Sequence, residues 1–412
     1  MKQTFPIEWV RDQFPALQDK FVFFDNGAGA QVPGFVLDAV RAHLIDHNVQ
    51  RGGRYPKSQK VDATIQRARE SVAVFLNASD SAEIAFGMNA TSFIRLVSLA
   101  LGEILGDRKE IIVTDLDHEA NIATWLALER NGAKIIFWNM RNDGTLHTRD
   151  LKPLLSRKTR LVACAAASNA LGTIVDVKEV AHLAHAAGAE VFLDAVHYAP
   201  HAPIDVQDWD CDYLVCSGYK IFSPHMGFLW GKRRLLEALP TFREDFIPDE
   251  IPTKIEVGTY VYENVAGMDA AVRYLEQLGQ TISKAEGASR RENLLAAMNA
   301  IREYESRLSA AMLKGLTSVE GITLYGVKSE KHLEHRVPTI CFTVKDKPAA
   351  FIASRCADHG FGIRDGNMYS PRLLHRMGIP TDQGALRASL VHYNTEDEIK
   401  SFLTTVKEIA KN

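Results

Sequence analysis

Lys220 follows an apolar run, Tyr213 to Cys216, and the short turn "SGY". A lysine there has an ordinary reading as a solvated surface cation. It also has a chemical one, because a desolvated amine is both a nucleophile and a base. Other polar residues stand at the ends of apolar runs in the same way. "EIIVTD" (110–115) leads to His118, and "RLVACAAAS" (160–168) leads to Asn169. "EVFLDA" (190–195) carries Asp194, 26 residues before Lys220, and then His197. Upstream, the apolar "EIAFGM" precedes Asn89-Ala90-Thr91-Ser92 and a helical pattern. Unsatisfied N–H groups and a hydroxyl at such a helix start suit an anion.

The elements that must position these residues read as one layered unit. Continuous apolar runs alternate with helical patterns such as "VKEVAHLAHAAG", which closes at Gly188. That alternation predicts an α/β fold with a mostly parallel sheet and helices on both faces. In such sheets ligands sit beyond the carboxyl ends of strands. After about residue 268 the texture changes to long helical patterns and two alternating runs, "GITLYG" and "VPTICFTV". The expectation is a large α/β domain over 21–268 and a smaller α+β domain over 269–412, the latter joined by residues 1–20.

Alone, His118 reads as a capping histidine, Asn169 as a turn residue and Asp194 as a strand-end cap. Together, in this order, they match pyridoxal 5'-phosphate. That cofactor requires a lysine amine, an acid beside its pyridine nitrogen, a flat partner for its ring and an anion site. A nicotinamide reading of "NGAGAQVPG" (26–34) fails, because Val32 stands where the phosphate fingerprint needs glycine. That stretch reads as a turn.

Composition narrows the classes further. The chain has 412 residues, 46% of them hydrophobic, with 48 basic and 51 acidic side chains and a net charge of -3. No field exists to gather nucleic acid or an anionic membrane surface, so neither partner is expected. No apolar run is long enough for a bilayer, and "MKQTFPIEWVRDQFP" lacks a secretory h-region. Cys164, Cys211, Cys216, Cys341 and Cys356 form no CxxC pair, which argues against a disulfide framework or a zinc site. A cytoplasmic protein without a bound metal is the expectation.

The segments "DHEAN", "SNALGT", "DAVH", "SGYK" and "EVGT" (256–259) occur in order. With them the chain resembles the class V aminotransferase family, within fold type I of the pyridoxal phosphate enzymes. It is most similar to the cysteine desulfurase/selenocysteine lyase branch, from "FFDNGAGAQVP" to "LRASLVHYNTEDEI". The resemblance implies that Lys220 carries the cofactor as a Schiff base, Asp194 pairs with the ring nitrogen and His118 stacks on the ring. Asn169 and His197 would face its oxygen side. Ala90, Thr91, Ser217 and Tyr219 would serve the phosphate. His197 stands where many desulfurases have glutamine, and Tyr219 where they often have histidine. The resemblance also implies a homodimer with shared sites, in which Thr259 reaches the partner's phosphate. Arg387 would clamp an amino acid substrate's α-carboxylate, helped by Arg364. Arg51, Arg54 and Lys57 (in 50–60) would lie near the partner's site entrance, or form a solvated loop.

Once the Cα proton leaves, elimination, epimerisation and transamination are all open, and the residues above do not choose. The desulfurase branch chooses with a loop cysteine after its "GIxVRxG" element. Here that loop reads "GIRDGNMYSPRLLHRMG", and Tyr369 stands where the cysteine would fall. Cys356 lies in a helical pattern and reads as a buried thiol. The expectation is a lyase acting by β-elimination, with a C–S bond among the candidates for cleavage. Epimerase, aminotransferase or a desulfurase with a relocated cysteine are the enzyme alternatives, and a cofactor-binding scaffold is the non-enzyme one.

Overall fold

A computed structural model describes residues 5–380 and 382–411. The first four residues of the stretch expected to join the small domain lie outside that range. The chain forms β1 (Val22–Phe23), then β2 (Ile84–Gly87), β3 (Glu110–Thr114), β4 (Lys134–Trp138), β5 (Thr159–Ala165), β6 (Glu190–Asp194), β7 (Tyr213–Ser217) and β8 (Gly227–Gly231). β2 to β8 make a seven-stranded sheet in the order β2-β8-β7-β6-β5-β3-β4. The pairs among β3, β4, β5, β6 and β7 are parallel.

β-branched and aromatic residues dominate these strands, and helices cover both sheet faces. Alternation along β7 sends Leu214 and Cys216 into one core and Tyr213 and Val215 into the other. That period of two is why the strands read as unbroken apolar runs. β8 departs from the parallel pattern and pairs antiparallel with both β7 and β2. Residues 218–226 are too few for a parallel return, which needs a crossover of a dozen or more.

The later part adds β9 (Ile322–Tyr325), β10 (Thr339–Val344), β11 (Phe361–Gly362), β12 (Arg364–Gly366) and β13 (Ala385–Ser389). Four of them form an antiparallel sheet ordered β12-β13-β10-β9. β1 pairs parallel with β11, so the N-terminal strand docks on the C-terminal part. Phe5 stacks on Tyr304, and Arg11 bonds the Tyr393 carbonyl and Glu398. The helix Tyr262–Ser283 runs unbroken through residue 268. Among the described residues, no helix is long and apolar enough to cross a membrane.

Candidate active site

β3, β5, β6 and β7 run in one direction, so the residues after them gather along one sheet edge. His118 follows β3, Asn169 follows β5, Asp194 ends β6, and the 3₁₀ turn Gly218–Lys220 follows β7. They line one small cavity with Thr91, His197, Ser217 and Tyr219. A wider cavity of about 1360 Å³ opens from it and adds Arg364, Tyr369 and Arg387.

Lys220 is buried and makes no hydrogen bond or ion pair among the described residues. Burial, reinforced by the Arg387 charge, pulls its amine down to about 8, although Asp194 opposes this. Asp194 accepts the Val196 N–H at 2.9 Å through one oxygen. Its other oxygen has no partner among the described residues, and burial pushes the carboxyl above its usual range. An unpaired buried carboxylate is costly without a donor or cation, so this oxygen suits a protonated ring nitrogen.

His118 receives the Ala120 N–H on Nδ1 at 3.0 Å, so a neutral ring carries its proton on Nε2. Burial, with the charges of Lys220 and Arg387, lowers it to about 4. His197 is buried, and its Nε2 lies 2.8 Å from Thr339 Oγ1. Burial with the Lys220 charge holds it well below the ordinary histidine value.

The anion end is built on the helix Ala90–Glu103. Asn89 caps it through a reciprocal box with Ser92. The Ala90 N–H already donates to Ser217 Oγ at 3.1 Å, whereas the Thr91 hydroxyl makes no hydrogen bond among the described residues. A Cβ on Gly227 would come within 2.5 Å of the Asn89 backbone, so only glycine lets β8 support this helix start. The Tyr219 ring stacks on His225 at 5.0 Å. A buried unpaired amine, a half-satisfied carboxylate, a neutral imidazole and a helix start with a free hydroxyl together fit pyridoxal phosphate.

The comparisons agree with that fit. A model of the family described as Aminotransferase class-V matches residues 22–305 and 294–402. The chain belongs to the class-V aminotransferase family. An aminotransferase-like protein of Gibberella zeae, FGM3, is 35% identical over 417 residues, covering 98% of this chain and 99% of that one. A probable cysteine desulfurase of Synechocystis sp. is 34% identical, covering 97% and 94%. The solved cysteine desulfurase of Thermococcus onnurineus NA1 superposes with a TM-score of 0.88 at 26% identity, covering 100% and 99%. Members of this family use pyridoxal 5'-phosphate, and this chain is a pyridoxal-phosphate-dependent class-V enzyme.

Within the class-V scaffold, Arg364 and Arg387 are cross-strand neighbours on β12 and β13. The sequence reading missed the residue that joins them. Asp25 pairs with Arg364 and, at 3.0 Å, with Arg387. Gly27 fits beside this pair because a Cβ would meet Ser389 Oγ, Arg387 and His197 at 2.8–3.0 Å. Asp117 was missed as well. It is fully buried under the His118 turn, bonded by Thr114, Asn121 and the Ala165 N–H, and burial lifts it to about 7. Its signal was its place in "DHEAN".

Asn169 lines the cavity, but its side chain is engaged elsewhere. Its Nδ2 donates to the Met368 carbonyl at 2.7 Å, and its Oδ1 accepts from Ser370 at 3.1 Å. Thr259 does not line the Lys220 cavity. Gln50 holds it at 2.6 Å, next to Arg51, which pairs with Asp62 and Glu256. All five cysteines are free and buried. Cys356 lies in the helix Ala349–Asp358. Burial raises Cys341 and Cys356 to about 12, and raises Cys164, Cys211 and Cys216 as well.

Proposed function

We propose that this enzyme is a lyase that removes the Cα proton of an amino acid and expells its Cβ substituent without a cysteine nucleophile. When bound, pyridoxal phosphate supplies an electron-withdrawing ring that delocalises the electron pair left at Cα. Asp194 would hold its ring nitrogen, His118 its face, and Thr91, Ser217 and Tyr219 its phosphate, with Asn169, His197 and the Ala90 backbone beside them. Arg387 and Arg364, already aligned by Asp25, bind the substrate carboxylate. The Lys220 amine, held down to about 8, takes the Cα proton.

The observation that carries the cysteine-free part of this reading is the state of the thiols. All five are buried with raised pKa values, while Tyr369 occupies the cavity rim. The test is a screen of amino acids that follows α-keto acid, ammonia and sulfide separately. Keto acid and ammonia released together support elimination. Keto acid without ammonia, or inversion of Cα alone, would move the reading to an aminotransferase or an epimerase.

The same reading divides the enzyme into a cofactor-binding unit over 21–268 and a smaller unit over 269–412 with 1–20. It takes the working form as a cytoplasmic homodimer. Support for the shared site comes from Thr259, bonded by Gln50, and from Arg51, paired with Glu256; neither Thr259 nor Arg51 lines its own Lys220 cavity. Mixing Lys220→Ala with an inactive Thr259 variant should restore activity in hybrid dimers. Recovery failing despite demonstrated subunit exchange would sink the shared site.

A further inference from the structure

Tyr369 stands at the cavity rim, 63% exposed, with its ring 5.6 Å from that of His118. Both Met368 and Tyr369 adopt left-handed backbone, at φ +52 and +58. Non-glycine residues rarely hold that conformation unless their surroundings enforce it. Here the enforcement is explicit. The Tyr369 N–H donates to Asn367 Oδ1, and its carbonyl accepts the Glu119 N–H at 2.8 Å. Asn169 grips the Met368 carbonyl and Ser370. The Met368 side chain is buried. The loop is thus strapped to the turns that carry His118 and Asn169, which makes it a fixed mount rather than a mobile arm.

The other polar groups on this side already have tasks. Arg364 and Arg387 are paired with Asp25. The Asn169 amide is tied to the loop. His118 Nδ1 accepts the Ala120 N–H, and burial lowers its imidazole to about 4. The Tyr369 hydroxyl makes no hydrogen bond among the described residues.

Resting on the elimination reading above, we propose that Tyr369 is a catalytic residue that donates its hydroxyl proton to the departing Cβ group. The substrate class is an amino acid whose β-substituent leaves through sulfur or oxygen. The Lys220 amine takes the Cα proton, and a Cα–Cβ double bond forms as the Cβ–S bond breaks. The bond's electron pair leaves on sulfur, and the Tyr369 O–H supplies its proton. The phenolate regains a proton from water at the exposed rim. The unsaturated amino acid hydrolyses to keto acid and ammonia, and no oxidant or reductant is needed.

The test compares Tyr369→Phe with wild type, both as holoenzyme, on S-methylcysteine and β-chloroalanine, with solvent deuterium exchange at Cα as a third readout. Chloride leaves without a proton. The variant should therefore lose about 100-fold or more on the thioether, within the general-acid range. It should change less than about 3-fold on the chloride and keep Cα exchange. Equal losses on both substrates, or none on either, overturn the Tyr369 assignment while elimination stands. A wild type that exchanges Cα yet eliminates neither substrate overturns the elimination reading, and the Tyr369 proposal falls with it.

Discussion

Lys220, Asp194 and His118 stand at the ends of strands that are buried almost throughout, while Tyr369, Arg364 and Thr259 stand on exposed loops or a sheet edge. The cavity floor is fixed by two cores packed against opposite faces of one sheet. Its rim is fixed by single hydrogen bonds and ion pairs, such as Asp25 to both arginines and Asn169 to the Met368 carbonyl. A floor of this kind serves any reaction that begins by removing a Cα proton. A rim of this kind can change residue by residue without disturbing it, and this chain carries Tyr369 there.

The sharpest way to break that division is to strike the floor. Lys220→Ala should cost about 10⁴-fold in turnover whatever the amino acid, since it removes base and cofactor anchor together. Borohydride should fix the cofactor to Lys220 in the native protein, and a label on another lysine would end the assignment. Asp194→Ala should keep cofactor bound through the phosphate end and lower turnover by about 10²- to 10³-fold. Unchanged turnover would place another group at the ring nitrogen.

The floor also has a pH signature. A neutral amine is the nucleophile, and it predominates above its pKa. Cofactor capture by the apoprotein should climb as pH rises through about 8 and level off above it. At pH 7 an amine with that value is neutral about 200 times more often than an ordinary lysine with its pKa of about 10.4. A capture midpoint near the ordinary value would show that Lys220 is solvated.

The floor was legible in the sequence because each of its residues ends an apolar run, and strand direction then fixes where the runs end. The antiparallel β8 was legible only through its short connection, since "GFLWGK" carries no mark of direction. Asp25 was hidden for a different reason. It belongs to an isolated bridge with Ser389, and its partners Arg364 and Arg387 lie far along the chain, so no local spacing reports it. The engagement of Asn169 by residues 368–370 and of Thr259 by Gln50 are likewise long-range contacts. Residue type suggested a role for each, but not the neighbour that holds it.

Beneath the rim, on the buried strand β13, Arg387→Lys should raise KM about 10- to 100-fold with a smaller change in kcat. A bidentate guanidinium–carboxylate pair contributes about 1.5–3 kcal/mol, and an ammonium cannot reproduce its fork. Steady-state kinetics on the best substrate from the screen would check this. A fall confined to kcat would mean that Arg387 orders the reacting groups rather than the substrate carboxylate.

The smallest effect expected is the one that separates this rim from a thiol-bearing one. Cys356→Ser should change turnover less than about 2-fold, and alkylation of the native protein should leave activity intact. Cys356 is fully buried in the helix Ala349–Asp358, and burial lifts its thiol to about 12, so the reactive thiolate is scarce at neutral pH. Cys164 and Cys216 point into the core beneath the sheet, on the far side from Val215. Cys341 faces the buried register partner Arg387, and burial raises it to about 12 as well. A persulfide step needs a thiolate that can reach the cavity, and none of these does so without unpacking its core. Serine in place of Cys356 puts a hydroxyl in an apolar site, so some loss of thermal stability is expected and should be measured beside activity. Abolished turnover in a folded, cofactor-loaded Cys356→Ser protein, with sulfur left on the native enzyme, would transfer the chemistry from the Tyr369 rim to a cysteine.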